Sequence, residues 1–237
     1  MNVVIPMAGR GSRLAEEALP KPLVEVAGKP LFAWSTRWIE QLESPNIIVI
    51  ALEEHEERFS IREKIAEHLP NATCLLIPDV TAGQLCTVLL AEHLMDSSKP
   101  LLIAPCDTAV EGLLPIPDSL PSSDRESVKG LISVASMPGD RWSFADCDAN
   151  WNVSRVTEKV RISDWASTGL YYFSDTSSFL RDAKSMVEEN ERTGGEFYVM
   201  PLYNRMLARD ERVKGVPVKK MHDLGTPEAL TAFEELI

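Results

Sequence analysis

Short apolar runs alternate with longer stretches in which apolar residues return at helical spacing, and this rhythm fills the first 115 residues of the 237-residue chain. Val3-Val4-Ile5 and residues 47–50, 74–77 and 100–104 are apolar runs of three to five, the length of buried strands. Between them, residues 31–42 carry apolar positions at helical intervals. Residues 53–69 line up Phe59, Ile61, Ile65 and Leu69 as one stripe, and residues 84–94 read as a third helix; Ser44-Pro45-Asn46 and Pro70-Asn71 punctuate the pattern. Strand followed by helix, repeated, predicts a doubly wound parallel sheet. Residues 116–127, rich in Pro, Ser and Asp, interrupt it as an exposed connection. Beyond them strands are predicted at 129–136, 142–146, 153–158, 168–173 and 213–218. Helices are expected at 174–190, opened by Ser174, at 196–209, and at 227–236 with Thr226 as cap and Pro227 in the first turn. The expected fold is α/β: a doubly wound, mostly parallel central sheet with a mixed β second half, in one domain over 1–237.

In such sheets ligands bind beyond the carboxyl ends of the strands. The opening loop, residues 81–87 and Cys106-Asp107-Thr108 should therefore meet at one crevice. Gly9 and Gly11 let backbone N–H groups approach a phosphate closely, and Arg13 and Lys21 add a planar fork of donors and a mobile point charge. Two named phosphate motifs fail. A dinucleotide fingerprint needs a small residue where Leu14 stands, and a Walker A loop is broken by Leu23 and by Pro30 after Gly28-Lys29. Asp107, after the run 101–104 and a proline, sits at a strand tip, where a carboxylate would be held rigidly for a hard cation such as Mg2+.

Charge narrows the partners. A net charge of −12 argues against nucleic acid or an anionic membrane, whose binders present broad basic faces. A small anion needs only a local cluster such as Arg10, Arg13, Lys21 and Lys29. No apolar run approaches the roughly 20 residues of a membrane span, and the first strand follows Met1 at once, so no membrane association and a cytoplasmic location are expected. Cys74, Cys86, Cys106 and Cys147 lack C-x-x-C spacing and read as core thiols; His55, His68, His93 and His222 show no ligand spacing with them.

Gly9-x-Gly11-Ser12-Arg13-Leu14, Pro20-Lys21-Pro22-Leu23 and Gly28-Lys29-Pro30-Leu31 together resemble the signature of the sugar-1-phosphate nucleotidyltransferases. The resemblance extends over nearly the whole chain. It implies a nucleotide-binding half at 1–115, where Met7, Ala8, Gly9, Gly11 and Ser12 would cradle the nucleotide and Gln84 and Thr87 would face base and ribose. An acceptor-binding half would follow at 128–237. Arg13 and Lys21 would be catalytic. Asp107 matches the family's metal-binding Asp, and Asp223, in Asp223-Leu224-Gly225-Thr226-Pro227-Glu228, its second Mg2+ ligand; His222 beside it reads as a packing or hydrogen-bonding neighbour. Glu158 and Lys159 fall where the family places a Glu on sugar hydroxyls and a Lys on the sugar phosphate, although Val160 replaces the usual proline. Gly169, in Thr168-Gly169-Leu170-Tyr171, would let the sugar lie against the backbone. Residues 194–204, GGEFYVMPLYN, with residues 142–145 and 162–164, are similar to a capsule-associated branch, putting Glu196 and Asn204 on the acceptor side.

The implied partners are a nucleoside triphosphate and a phosphorylated small-molecule acceptor. The acceptor, the base and the oligomeric state stay open, a homo-oligomer included. Three alternatives stand beside this reading. A cytidylyltransferase for a phosphocholine-like phosphate or phosphonate could use Trp142 and Trp165 as a cation cage. A glycosyltransferase would use Asp146-Cys147-Asp148, which reads better as part of a hairpin turn. A non-catalytic nucleotide-sugar-binding module would be expected to have lost Arg13, Lys21 or Asp107, and all three are present.

Overall fold

The computed structural model describes residues 1–9 and 19–237. Its strands are β1 (Asn2–Pro6), the two-residue β2 (Glu25–Val26) and β3 (Lys29–Pro30), β4 (Asn46–Leu52), β5 (Thr73–Ile77), β6 (Leu101–Ile103), β7 (Thr108–Gly112), β8 (Val128–Ser136), β9 (Ser143–Cys147), β10 (Val153–Glu158), β11 (Trp165–Phe173) and β12 (Arg212–Asp223). The helices are α1 (Leu31–Thr36), α2 (Glu53–Phe59), α3 (Ile61–His68), α4 (Gln84–Leu90), α5 (Thr176–Glu188), α6 (Leu202–Leu207) and α7 (Pro227–Glu234).

One sheet runs in the order β5-β4-β1-β6-β11-β8-β12-β7, with the β9–β10 hairpin attached to β11. Its first four strands are mutually parallel. From β11 onward it is mixed: β11 is antiparallel to both β6 and β8, β12 is parallel to β8, and β7 closes the row antiparallel to β12. Strand alternation divides the interior into two layers. Val4, Ile48 and Ile50 point to the face covered by Leu85 and Val88 of α4 and by Phe179 of α5. Val3, Ile5, Ile47 and Val49 point to the face covered by Phe32 of α1 and Ile61 and Ile65 of α3. Each fully buried aliphatic side chain removes enough apolar surface to stabilise the fold by about 1.5–3 kcal/mol, and β1 buries Val3, Val4 and Ile5 completely. A third, smaller core joins Ala109 of β7, Leu224 after β12, and Leu230 and Phe233 of α7.

Several elements differ from the sequence expectation: β7 falls where no strand was expected, and β12 runs on past 218 to Asp223. The single helix at 53–69 is two, because Ser60 adopts a left-handed backbone (φ 52°) and Glu56 is drawn into the break, its carboxylate accepting from the Arg62 N–H at 3.0 Å. The helix expected from residue 196 begins only at Leu202. Thr193 and Glu196 instead exchange backbone hydrogen bonds around Gly194 and Gly195, both at positive φ, which makes a tight two-residue turn. The cap of α5 is Asp175 rather than Ser174, accepting from the Ser178 N–H at 2.6 Å. Thr226 and Pro227 do open α7 as expected. Among the described residues no helix is long and apolar enough to cross a membrane.

Candidate functional site

The segments that follow β1, β5 and β6 open onto a cavity of about 430 Å³ whose wall includes Met7, Ala8, Gly9, Lys21, Gln84 and Asp107. The described parts of the three loops expected to meet there do so. The Met7 N–H still donates to Ile50 O at 2.7 Å, so the start of the loop is fixed by the sheet. Gly9 faces open space: a Cβ built there meets no described atom within 4 Å, leaving room for a ligand to approach the backbone. Gly11, Ser12 and Arg13, with Arg10 and Leu14, lie outside the described residues. Thr87 is buried on the wall, its hydroxyl bonded to that of Thr81 at 2.7 Å, while Gln84 stands half-exposed beside it.

A second cavity, of about 250 Å³, continues from the first and shares Gln84, Pro105, Asp107 and Glu196 with it. Glu158, Ser143, Thr168, Gly169 and Tyr198 line it. Glu158 is buried, which raises its pKa, and its carboxylate accepts from the Ser143 hydroxyl. Gly169 has φ 86° and sits so close to Pro105 that a Cβ would lie 3.0 Å from the proline ring, at the point where the β11–β8 register slips. Glu196 is exposed and reaches both cavities because the strap after the 193–196 turn is stitched to the loop before α4. Phe197 N–H donates to Ala82 O at 2.9 Å, and Leu85 N–H to Phe197 O at 3.0 Å. Gly83, at φ 137°, makes this contact possible, since a Cβ there would lie 2.5 Å from the backbone N and O of Phe197.

Between the cavities stands a charge cluster. Asp107 ends the turn after β6, and the pairing of Thr108 with Asp223 brings the second carboxylate alongside it. Leu224 N–H bonds Asp107 O at 2.8 Å. Lys21 forms an ion pair with Asp107, and Arg141 with Asp223. A Cβ on Gly225 would fall 2.8 Å from Asp223 Oδ1 and 3.2 Å from Lys21 Nζ, so Lys21 stands beside both carboxylates. Each of these two carboxylates is thus paired with a cation of its own, and among the described residues no third acidic, His or Cys ligand joins them. Such a donor set suits a hard ion that takes one or two carboxylates and completes its shell with water and phosphate.

The remaining predicted residues serve elsewhere. Lys159 is absent from the described wall of the second cavity. It donates to the Tyr198 hydroxyl, which raises its pKa, and its ammonium lies 4.5 Å from the centre of that ring. Its backbone is left-handed (φ 55°), whereas a following proline drives a residue to extended backbone; Val160 is compatible with this turn. Asn204 does not line the cavity but clamps the edge strand β10, accepting from Val156 N–H at 3.0 Å and donating to Val156 O at 2.9 Å. Trp165 packs edge-on against Trp151 and Trp142 carries the Arg141 guanidinium 4.4 Å over its ring, so each indole already has a partner of its own. His222 bonds Glu111 at 2.9 Å and packs on Phe233. Asp148 receives the N–H groups of Asn150 and Asn152, both at 2.8 Å, as the cap of the β9–β10 turn. The cysteines are free, and burial pushes Cys106 and Cys147 up to about 12. Arg141, Ser143 and Tyr198 had no assigned role in the sequence, since nothing local marks Arg141 as the partner of a residue 82 positions away.

Residues 3–112 match the MobA-like NTP transferase domain family. Comparison with curated proteins gives no match. Among solved structures, the nucleoside-diphosphate-sugar pyrophosphorylase from Vibrio cholerae RC9 is 27% identical, with 98% of this chain and 99% of that one covered at a TM-score of 0.84. The inositol-1-phosphate CTP transferase from T. maritima shares the fold at 13% identity and TM-score 0.76, covering 99% of this chain and 94% of its own. A UDP-glucose pyrophosphorylase from Acinetobacter baumannii does so at 16% identity and TM-score 0.70, covering 98% and 91%.

Proposed function

With residues 3–112 belonging to the MobA-like NTP transferases, we propose that this chain transfers a nucleoside monophosphate from a nucleoside triphosphate to a sugar 1-phosphate, releasing pyrophosphate and an NDP-sugar. The observation that carries this reading is the pair of cavities meeting at Asp107. One is framed by backbone and small residues at strand ends, as a nucleotide requires. The other is lined by hydroxyls and the buried Glu158, groups that suit a polyhydroxy acceptor. A phosphocholine-like acceptor is less well served, because Trp142 and Trp165 are engaged with other partners. An inositol phosphate acceptor, the substrate named for the T. maritima relative, is the second reading, since it too is a ring of hydroxyls bearing a phosphate.

In this mechanism a phosphate oxygen of the acceptor attacks the α-phosphorus in line. The bond to the β-phosphate oxygen breaks, and the electron pair leaves with pyrophosphate. No general base is needed, because the attacking phosphate is already ionised at neutral pH. Asp107 and Asp223 would hold Mg2+, which when bound supplies positive charge to the triphosphate. Lys21, released from Asp107, and Arg13 would balance charge developing on the leaving group. Glu158 and Ser143 would orient acceptor hydroxyls, and Glu196 would close the junction. Lys159 would add positive charge at the rim. Holding two polyanions in register removes an entropic barrier worth at most roughly 7–11 kcal/mol.

The test is pyrophosphate release with Mg2+, the four ribonucleoside triphosphates and dTTP, against sugar 1-phosphates, inositol 1-phosphate, phosphocholine and aminoethylphosphonate. Release that requires one sugar 1-phosphate and is lost in Asp107→Ala is expected. Release with a non-sugar acceptor only would replace the sugar reading, and none with any pair would remove the transferase assignment.

A further inference from the structure

We propose that Arg141 is the residue that receives the acceptor's phosphate, and that it waits for that role by occupying Asp223. This rests on the transferase reading above. A phosphate dianion entering the second cavity meets Asp107, Glu158 and Glu196 on its walls, and Arg141 is the one positively charged side chain among the described residues that line it. Among the described residues, the other cations near the site are engaged elsewhere: Lys21 lines the nucleotide cavity on Asp107, and Lys159 is tied to Tyr198. Among the described residues on this wall, Arg141 is therefore the side chain that can pair with a dianion.

The geometry prepares Arg141 for an exchange of partners. Its guanidinium carbon lies 4.4 Å from the centre of the Trp142 ring, and the indole is itself fixed by donating to Pro138 O at 3.0 Å. This cation–π contact would hold the fork at the cavity wall whether or not a carboxylate is bound. The pair with Asp223 is half-exposed on the arginine side, at 48%, so little burial resists its opening, while the carboxylate is 14% exposed and kept in place by the Gly225 N–H at 3.0 Å. A divalent cation taking Asp223 would free the fork, which needs only to turn on its aromatic platform to grip a phosphate with two parallel N–H donors. Metal and arginine thus compete for one carboxylate, and filling the metal site readies the acceptor site.

The competition predicts opposite signs for two measurements on one variant, a pattern that general damage to the site would not give. In Arg141→Gln, calorimetric titration of Mn2+ into substrate-free protein should show binding tightened several-fold, because Asp223 is no longer occupied. In pyrophosphate-release assays the same variant should raise the acceptor KM by about 10- to 100-fold, the scale of lost charge-assisted hydrogen bonds, and leave the triphosphate KM within about two-fold. Arg141→Lys should recover part of the acceptor KM, and Lys159→Gln should raise it less than Arg141→Gln does. Unchanged or weakened Mn2+ binding, an unchanged acceptor KM, or equal rises in both KM values would overturn the proposal. If the wild type released no pyrophosphate with any pair, the transferase reading would have failed instead, and the Mn2+ titration would still report whether Arg141 competes for Asp223.

Discussion

The wall of the nucleotide cavity comes mainly from loops that leave neighbouring parallel strands: β1 runs into residues 7–9, and β6 into Pro105, Cys106 and Asp107. The wall of the acceptor cavity is gathered from residues between Gln84 and Met221, on strands paired mostly antiparallel and on the strap at 197–200. In the first region one rule, strand ends pointing the same way, collects the ligand-facing residues. In the second, position depends on registers set far apart in sequence, such as Asp223 opposite Thr108 and Ala166 opposite Phe144. Long-range pairing specifies such a site more tightly, and makes it more sensitive to a single misplaced contact.

The largest effect is expected where the two regions are stitched together. Gly83→Ala puts a Cβ 2.5 Å from the Phe197 backbone in a conformation, φ 137°, that L-residues avoid. The conformational term alone costs about 1–3 kcal/mol. Melting should fall by roughly 5–10 °C, and both KM values should rise, because residues on either side of the stitch face both cavities. An unchanged melting point would show that strap and loop are not interlocked.

A more selective break is Asn204→Ala. It strips β10 of two hydrogen bonds to Val156, two residues before Glu158, and should cost about 1–3 kcal/mol. The acceptor KM should rise several-fold with the triphosphate KM unmoved; equal changes in the two would contradict the separation of the walls.

The smallest expected effect on stability comes from Glu158→Gln, and its sign is the informative part. Burial raises the folded-state pKa of Glu158 above the usual 4.5, so the folded protein holds that proton more tightly than the unfolded chain does. Its contribution to stability is complete below 4.5 and lost as pH climbs through the folded value. The amide should therefore melt no lower than wild type at pH 7, with that relative gain shrinking towards pH 4, while turnover drops. A variant that melted lower at pH 7 would mean that the charged carboxylate is stabilising where it sits.

The same contrast explains what could be read from the sequence. Gly9, Lys21 and Asp107 could be placed at one crevice because apolar runs mark strand ends and parallel order brings those ends together, whereas Met7 and Gln84 came from the family resemblance. Asp223 and Glu158 were legible through family-like motifs. Arg141 was not, because its partner is set by the β7–β12 pairing, and an Arg-Trp step in a loop carries no periodic signal. Ser60 broke a helix whose stripe of Phe59, Ile61, Ile65 and Leu69 looked continuous, since one left-handed residue shifts the helix phase without altering composition. Residues 196–201 read as helical because Glu, Phe, Tyr, Val and Met fit a helix face. The two glycines at positive φ outweighed them.

If both substrates meet over Asp107, the phosphorus that moves should pass directly between them. Nucleoside triphosphate labelled at the α-phosphate would be incubated with Mg2+ and the acceptor identified by pyrophosphate release, and the labelled products would be separated. Label is expected in a product that forms only when acceptor is present and disappears in Asp107→Ala. Label recovered solely as free nucleoside monophosphate, with or without acceptor, would mean that water is the attacking group and that the second cavity does not hold the acceptor.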